Sequence, residues 1–400
     1  MNDVKKSLVG KEQNVIIAIN AIKKIMIIFL GPFLATYFIK ISKESMTDLS
    51  IYYIFSYILL GLSSFLVAKI IKNKFKIGMF RIGVILNFIY IMAIIILKEN
   101  IINHLILISI LFGFSSGCYW FSYNLFVINK IKNSERTEYT VRSKLVSSIV
   151  GILCPVVLGS IITITNYELT AIIILVLSLC QVILSFILTP DTEDNLGKFN
   201  LKRTIKHLYK NKQIKYSFLV EFFVGLNVSD GALETVMTIL IFNSFKTNMN
   251  YGLITSIVTI LSMISFKLYG KIYTNKDDKK LIVVSSIIPV LSLLLLFFLR
   301  NNITILIYNF CYVIFANILS LTREIRLFNL SDSDIVNREN QVEFVALREG
   351  ILNLGRILGY SLLLIAGISK SDIMLNIVMV ILTLSIFIMG MNIKKIDKFE

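Results

Sequence analysis

The chain has 400 residues, is 56% hydrophobic, carries a formal charge of +16 and has a mean hydropathy of +0.77. That apolar excess excludes an ordinary soluble domain. The siting of the charge argues against a nucleic-acid partner, because Lys and Arg collect in alternate loops, the positive-inside pattern of a membrane protein.

Apolar runs of about 18 or more residues recur along the chain, each able to cross a hydrocarbon core of ~30 Å as a helix. None shows the ten-residue alternation of a membrane strand. The pattern predicts an all-α membrane protein with twelve transmembrane helices, near 14–38, 48–70, 77–97, 101–129, 142–165, 169–189, 214–242, 248–273, 281–299, 302–327, 343–368 and 371–391. The first follows Lys5, Lys6 and Lys11 and contains Lys23 and Lys24. No small-residue cleavage pattern follows it, so it reads as a retained helix. Lys23 and Lys24 stand about ten residues in from its start, roughly 14 Å deep at 1.5 Å per residue.

Loops on one side offer Lys40, Lys43, Lys98, Lys246, Arg300 and Lys370. The other side is far richer, beginning with Lys69, Lys72, Lys74, Lys76 and Arg81 and ending with Lys271, Lys276, Lys279 and Lys280. That asymmetry places both termini in the cytoplasm. The fourth helix puts Ser116, Trp120 and Asn124 on one face, with Tyr119 and Tyr123 alongside. They lie deeper than interfacial anchors and read as a cavity wall for an organic substrate. Cys118, Cys154, Cys180 and Cys311 all fall in apolar runs without CxxC spacing and read as small buried hydrophobes.

The midpoint is a polar stretch opened by Pro190. It is acidic at Asp191, Glu193 and Asp194, then basic and amphipathic through Leu201, Ile205, Leu208 and Tyr209. It reads as a cytoplasmic linker (190–213) lying on anionic headgroups, between a six-helix half at 1–189 and another at 214–400. The seventh helix carries Glu221, Asp230 and Glu234. A carboxylate at mid-bilayer costs roughly 2.5–3.5 kcal/mol on insertion scales and so faces a wet cavity or a partner charge. Asp230 and Glu234 stand four apart, on one face of a continuous helix, and Gly225 and Gly231 offer places for the helix to bend or for another backbone to come close. Asn309, Tyr312 and Asn317 make a polar stripe in the tenth helix. Arg356 lies near the middle of the eleventh between Gly355 and Gly359, and needs an anion. Arg323, Glu324, Arg348 and Glu349 fall near cytoplasmic helix ends and read as gate salt bridges. His104 and His207 are isolated, and no HExxH, phosphate-binding loop or GxSxG occurs, so no enzyme, cofactor or metal is expected.

The halves echo each other. Ser64-Phe65, Ala68-Lys69-Ile70 and Asn73-Lys74 recur as Ser265-Phe266, Gly270-Lys271-Ile272 and Asn275-Lys276, about half the chain apart. Together with the basic loop after the second helix of each half and Gly113-Phe114-Ser115-Ser116-Gly117-Cys118-Tyr119-Trp120 in the fourth helix, this resembles the major facilitator superfamily. The resemblance implies that the first and seventh helices face each other across a central cavity, so that Lys23 or Lys24 meets Glu221 or Asp230, as a proton-exchanging site or a static pair. It also implies a gate at Lys69 and Lys271, although the Asp usual in the family's loop is absent from 68–74. Gly151, Cys154-Pro155 and Gly159 resemble a degraded form of the family's antiporter motif and point to export.

The expected function is therefore a secondary transporter working by alternating access: proton-coupled efflux of a small amphipathic organic compound by a monomer in the lipid bilayer. A flippase for a lipid-linked or glycosylated substrate, or a non-transporting membrane partner or sensor, is the alternative. The high Ile, Lys and Asn content points to an AT-rich genome and a bacterial plasma membrane.

Overall fold

The computed structural model describes residues 2–42, 45–72, 76–130, 133–189, 198–227, 231–272, 278–331, 335–336 and 339–396. Among these residues there is no strand. The first pass is α1 (Asn2–Ile28), a π-turn (Phe29–Phe33) and α2 (Leu34–Ile41). Then come α3 (Ser45–Lys72), α4 (Lys76–Leu97), α5 (Leu105–Lys130), α6 (Asn133–Ile164) and α7 (Tyr167–Ile187). A short α8 (Leu201–Leu208) precedes α9 (Lys212–Asn227) and α10 (Ala232–Phe245), which share the seventh pass. The chain continues through α11 (Asn248–Ile272), α12 (Asp278–Leu299), α13 (Asn302–Ser331), α14 (Gln341–Ser369) and α15 (Asp372–Ile396). Ten described stretches are long and apolar enough to cross a membrane; one of them, 77–125, holds both α4 and α5 around a 3₁₀ turn at Lys98–His104. With the 25-residue α11, twelve passes result.

The burial pattern is inverted relative to a water-soluble protein. Ile96, Phe298 and Ile373 are 70%, 84% and 72% exposed, whereas Ser56, Ser64 and Ser115 are buried. Lipid tails accept the former, and small hydroxyl residues let helices approach while bonding back to their own helix. Ser56 donates to the Tyr52 carbonyl at 2.7 Å and Ser64 to that of Leu60 at 2.9 Å. Gly113 and Gly117 of α5 pack so closely on α3 that a Cβ on either would overlap Ser56 or Ser63. Cys180 departs from expectation: it faces outward rather than inward.

Helices α1–α7 pack chiefly on one another, as do α9–α15, and the two bundles meet along α3–α14 and α6–α11. Both central passes are broken. Pro32 lacks the amide that would continue the i→i−4 ladder, and the first pass passes through a π-turn there. The seventh pass ends its first segment at Asn227 and restarts at Ala232, with Gly231 extended (φ −84°, ψ 169°). Gly231, next to Glu234's helix start, is extended rather than helical, and Asp230 itself lies outside the described residues. Of the two readings of Gly225, close approach of another backbone is the one observed, since a Cβ there would overlap the Leu352 carbonyl of α14. Beyond the breaks, α2 packs on α10. Phe33 meets Tyr251 edge-on at 5.8 Å, and Thr36 donates to Asn248 Oδ1 at 2.7 Å. The end of the bundle away from the Lys-rich loops is held together by these contacts.

Candidate functional site: a central cavity

A cavity of about 750 Å³ lies between the bundles, within the usual range for small-molecule sites. Its walls come from α1–α3, α5 and α6 on one side and α10, α11, α13 and α14 on the other. The broken segments contribute Gly31, Pro32 and Gly231. Irregular backbone at membrane depth is tolerated where it lines such a space or is buried in protein.

On the amino-terminal wall, Ser116, Trp120 and Asn124 face the cavity, as their i, i+4, i+8 spacing requires. Tyr119 and Tyr123 do not line it, contrary to expectation. They sit on the adjoining face of α5, Tyr119 fully buried behind the wall and Tyr123 bonded to Tyr139 at 3.1 Å between hydroxyls. Lys23 and Lys24 both line the cavity. The Lys23 ammonium stands 5.0 Å from the Tyr119 ring centroid, where a desolvated cation–π contact stabilises a charge only 1% exposed.

On the opposite wall, Asn309, Tyr312 and Asn317 line the space. Tyr312 donates to the Asn227 carbonyl at 2.5 Å, satisfying an acceptor that the helix break leaves open. Asn317 donates to Ser262 at 3.1 Å. Glu234 reaches the cavity from the first turn of α10.

Glu221 takes a partner other than the expected lysine, while the alternative carboxylate, Asp230, lies outside the described residues. Glu221 is fully buried on α9 and accepts two bonds from Arg323, at 2.5 and 2.6 Å, and one from Arg348 at 3.2 Å. A bidentate guanidinium plus a second cation satisfies a carboxylate that no lysine of α1 approaches. Arg323, Glu324, Arg348 and Glu349 all line the cavity, and the Arg323–Glu221–Arg348 cluster lies wholly within the carboxyl-terminal bundle. That cluster does not bridge the halves as a gate latch would. Lys69 is exposed at the end of α3, and the side chain of Lys271 lies outside the described residues.

Arg356 crosses the seam. Its guanidinium carbon sits 4.8 Å from the Tyr57 ring centroid of α3, and Nη1 donates to Asn353 at 3.0 Å. Tyr57, Tyr53 and Tyr360 form a buried aromatic stack lining the cavity, with Tyr53 and Tyr360 centroids 4.6 Å apart. Sequence reasoning missed this stack, although Tyr53–Tyr57 and Arg356–Tyr360 are each four apart and so share helical faces. It also missed the buried pair that does bridge the halves, Lys72 to Glu343 at 2.6 Å. The Gly159 region belongs to the α6–α11 seam, where a Cβ on Gly159 would overlap the Asn248 carbonyl and one on Gly252 the Pro155 carbonyl. The antiporter-like spacing therefore serves close packing.

Residues 15–360 match the family model of the Major Facilitator Superfamily. The chain is 23% identical over 331 residues, 82% of its own length and 76% of the relative's, to the uncharacterized protein YqgE of Bacillus subtilis. Its fold is similar to a bacterial homologue of the iron transporter ferroportin in an inward-facing state (TM-score 0.69, 12% identity, 98% of each chain). It is also similar to the nucleoside transporter NupG (TM-score 0.67, 14% identity, 98% of this chain and 100% of that one). With twelve passes in two bundles around a shared cavity and a family match over most of its length, the chain is a multi-pass membrane transporter and belongs to the major facilitator superfamily.

Proposed function

We propose that the protein is a secondary active transporter that exports a small amphipathic organic compound in exchange for protons, by alternating exposure of the central cavity. The observation that carries this reading is the cavity's mixed lining. Trp120 and the Tyr53–Tyr57–Tyr360 stack offer aromatic surface, while Lys23, Lys24, Arg356 and Glu234 bring charge to the same lining. Such a lining suits a ligand with an apolar body and a polar head better than a sugar or a bare ion. An open cavity also weighs against a non-transporting partner or sensor.

Proton coupling needs a carboxylate whose environment changes as the bundles rock. Glu234 is the described candidate; Asp230, the sequence's first choice, lies outside the described residues. The asymmetry of basic loops supports both termini in the cytoplasm, the Ile-, Lys- and Asn-rich composition supports a bacterial plasma membrane, and the π-turn at Phe29–Phe33 interrupts the first pass beside the cavity. Everted vesicles energised with a pH gradient test the proposal. Uptake of amphipathic compounds should collapse with the gradient, and it should be lost or uncoupled in Glu234→Gln or Asp230→Asn. Uptake that ignores the gradient in wild type, or coupling intact in both variants, overturns the coupling assignment.

A further inference from the structure

The Lys-rich end of the molecule carries a three-way junction that lies outside the cavity lining. Lys72, closing α3, and Glu343, opening α14, pair at 2.6 Å with each side chain only 1% exposed. The same carboxylate oxygen accepts the backbone N–H of Asn200 at 2.9 Å. Asn200 is also the N-cap of α8, its side chain accepting from the Arg203 amide at 3.0 Å. One residue thus ties the start of α8 to the contact between the two bundles.

Helix α8 buries Thr204 and Leu208 and leaves Lys202, Arg203, Lys206 and His207 in solvent, with Lys210 following. Ile205 and Tyr209 are exposed beside them. Lys202 and Lys206 are one turn apart, as are Ile205 and Tyr209, so a cationic stripe adjoins an apolar one. Nucleic acid or an acidic protein would take the cations and leave Ile205 and Tyr209 in water. An anionic bilayer surface takes both, as helices lying in the headgroup layer do. It is also already in reach, since α7 and α9 enter the membrane on either side of α8.

We propose that α8 is a docking surface for anionic phospholipid headgroups, and that lipid bound there strengthens the Asn200–Glu343–Lys72 contact between the bundles. This holds whatever the cavity carries. Each Lys or Arg near an anionic surface contributes about fivefold in partition.

The full-length protein is reconstituted in nanodiscs of phosphatidylcholine alone or mixed with phosphatidylglycerol, and amide exchange is followed over 198–208 and 339–345. Phosphatidylglycerol should slow exchange in α8 and at the Asn200 amide. Lys202→Gln with Lys206→Gln, both exposed, should weaken headgroup binding about 25-fold, fivefold for each charge, so that phosphatidylglycerol no longer slows exchange in α8. Glu343→Gln should keep lipid protection of α8 and lose it at Asn200. Identical exchange in the two lipids, or slowing that survives the double Gln variant, overturns docking on headgroup charge. Protection of α8 without any change at Asn200 in wild type overturns the coupling. Protection in neutral lipid only when RNA or an acidic protein is added assigns the surface to another partner and overturns the proposal.

Discussion

Removing Lys72 should harm the protein more than neutralising Glu343. Without Lys72, the Glu343 carboxylate keeps only the Asn200 amide at 2.9 Å, and its Oε2 is already buried with no hydrogen-bond partner among the described residues. Stranding a buried charge in this way costs about 3–5 kcal/mol. Without the Glu343 charge, the Lys72 ammonium retains the Glu339 carbonyl at 2.7 Å and that of Lys198 at 3.5 Å, so the loss should be smaller. Lys72→Met, Glu343→Gln and the double variant form a cycle that can be read by equilibrium unfolding in mixed SDS micelles. The double variant should be less damaged than the sum of the single ones, with a coupling of about 1–3 kcal/mol. Strict additivity would refute the argument, because it would mean that the two side chains do not depend on each other.

Three further outcomes follow from the same packing. Glu221→Gln leaves Arg323 and Arg348 facing each other without their anion, and should destabilise the carboxyl-terminal bundle by about 3–5 kcal/mol, measured as the same unfolding midpoint shift. Gly225→Val should abolish monodisperse expression by size-exclusion chromatography, since α9 cannot move away from the Leu352 carbonyl without opening the α9–α14 contact. Arg300→Gly and Lys370→Gly should leave stability unchanged or raise it by up to about 1 kcal/mol, because both residues hold a left-handed backbone (φ 40° and 50°) that glycine adopts freely; Arg300→Val should lower it.

Those left-handed residues also explain part of what the sequence displayed. Lys98, Lys246, Arg300 and Lys370, four of the basic residues on the poorer side, each have positive φ at or beside a helix end. A cation there also complements the helix dipole. The helices were legible because lipid demands unbroken apolar runs, and the cavity-facing positions Ser116, Trp120 and Asn124 because a helix repeats every 3.6 residues. Pairings across helices were not legible. Glu221 found Arg323 and Arg348 rather than Lys23, a choice made by the rotation of α9 that no local spacing encodes. The interruption at Gly231 was legible from that glycine, but the role of Asn227 was not: it looks like an unremarkable polar residue until its carbonyl meets Tyr312 and its amide meets Ser385.

Trp120 is the only tryptophan in the chain and lines the cavity, so its fluorescence reports directly on the space the account depends on. In proteoliposomes, aqueous iodide should quench Trp120, and a transported compound should reduce that quenching by occupying the same space. A Trp120 that iodide reaches from neither face of the bilayer, with emission unchanged by any compound the vesicles accumulate, would contradict a hydrated passage between the two bundles.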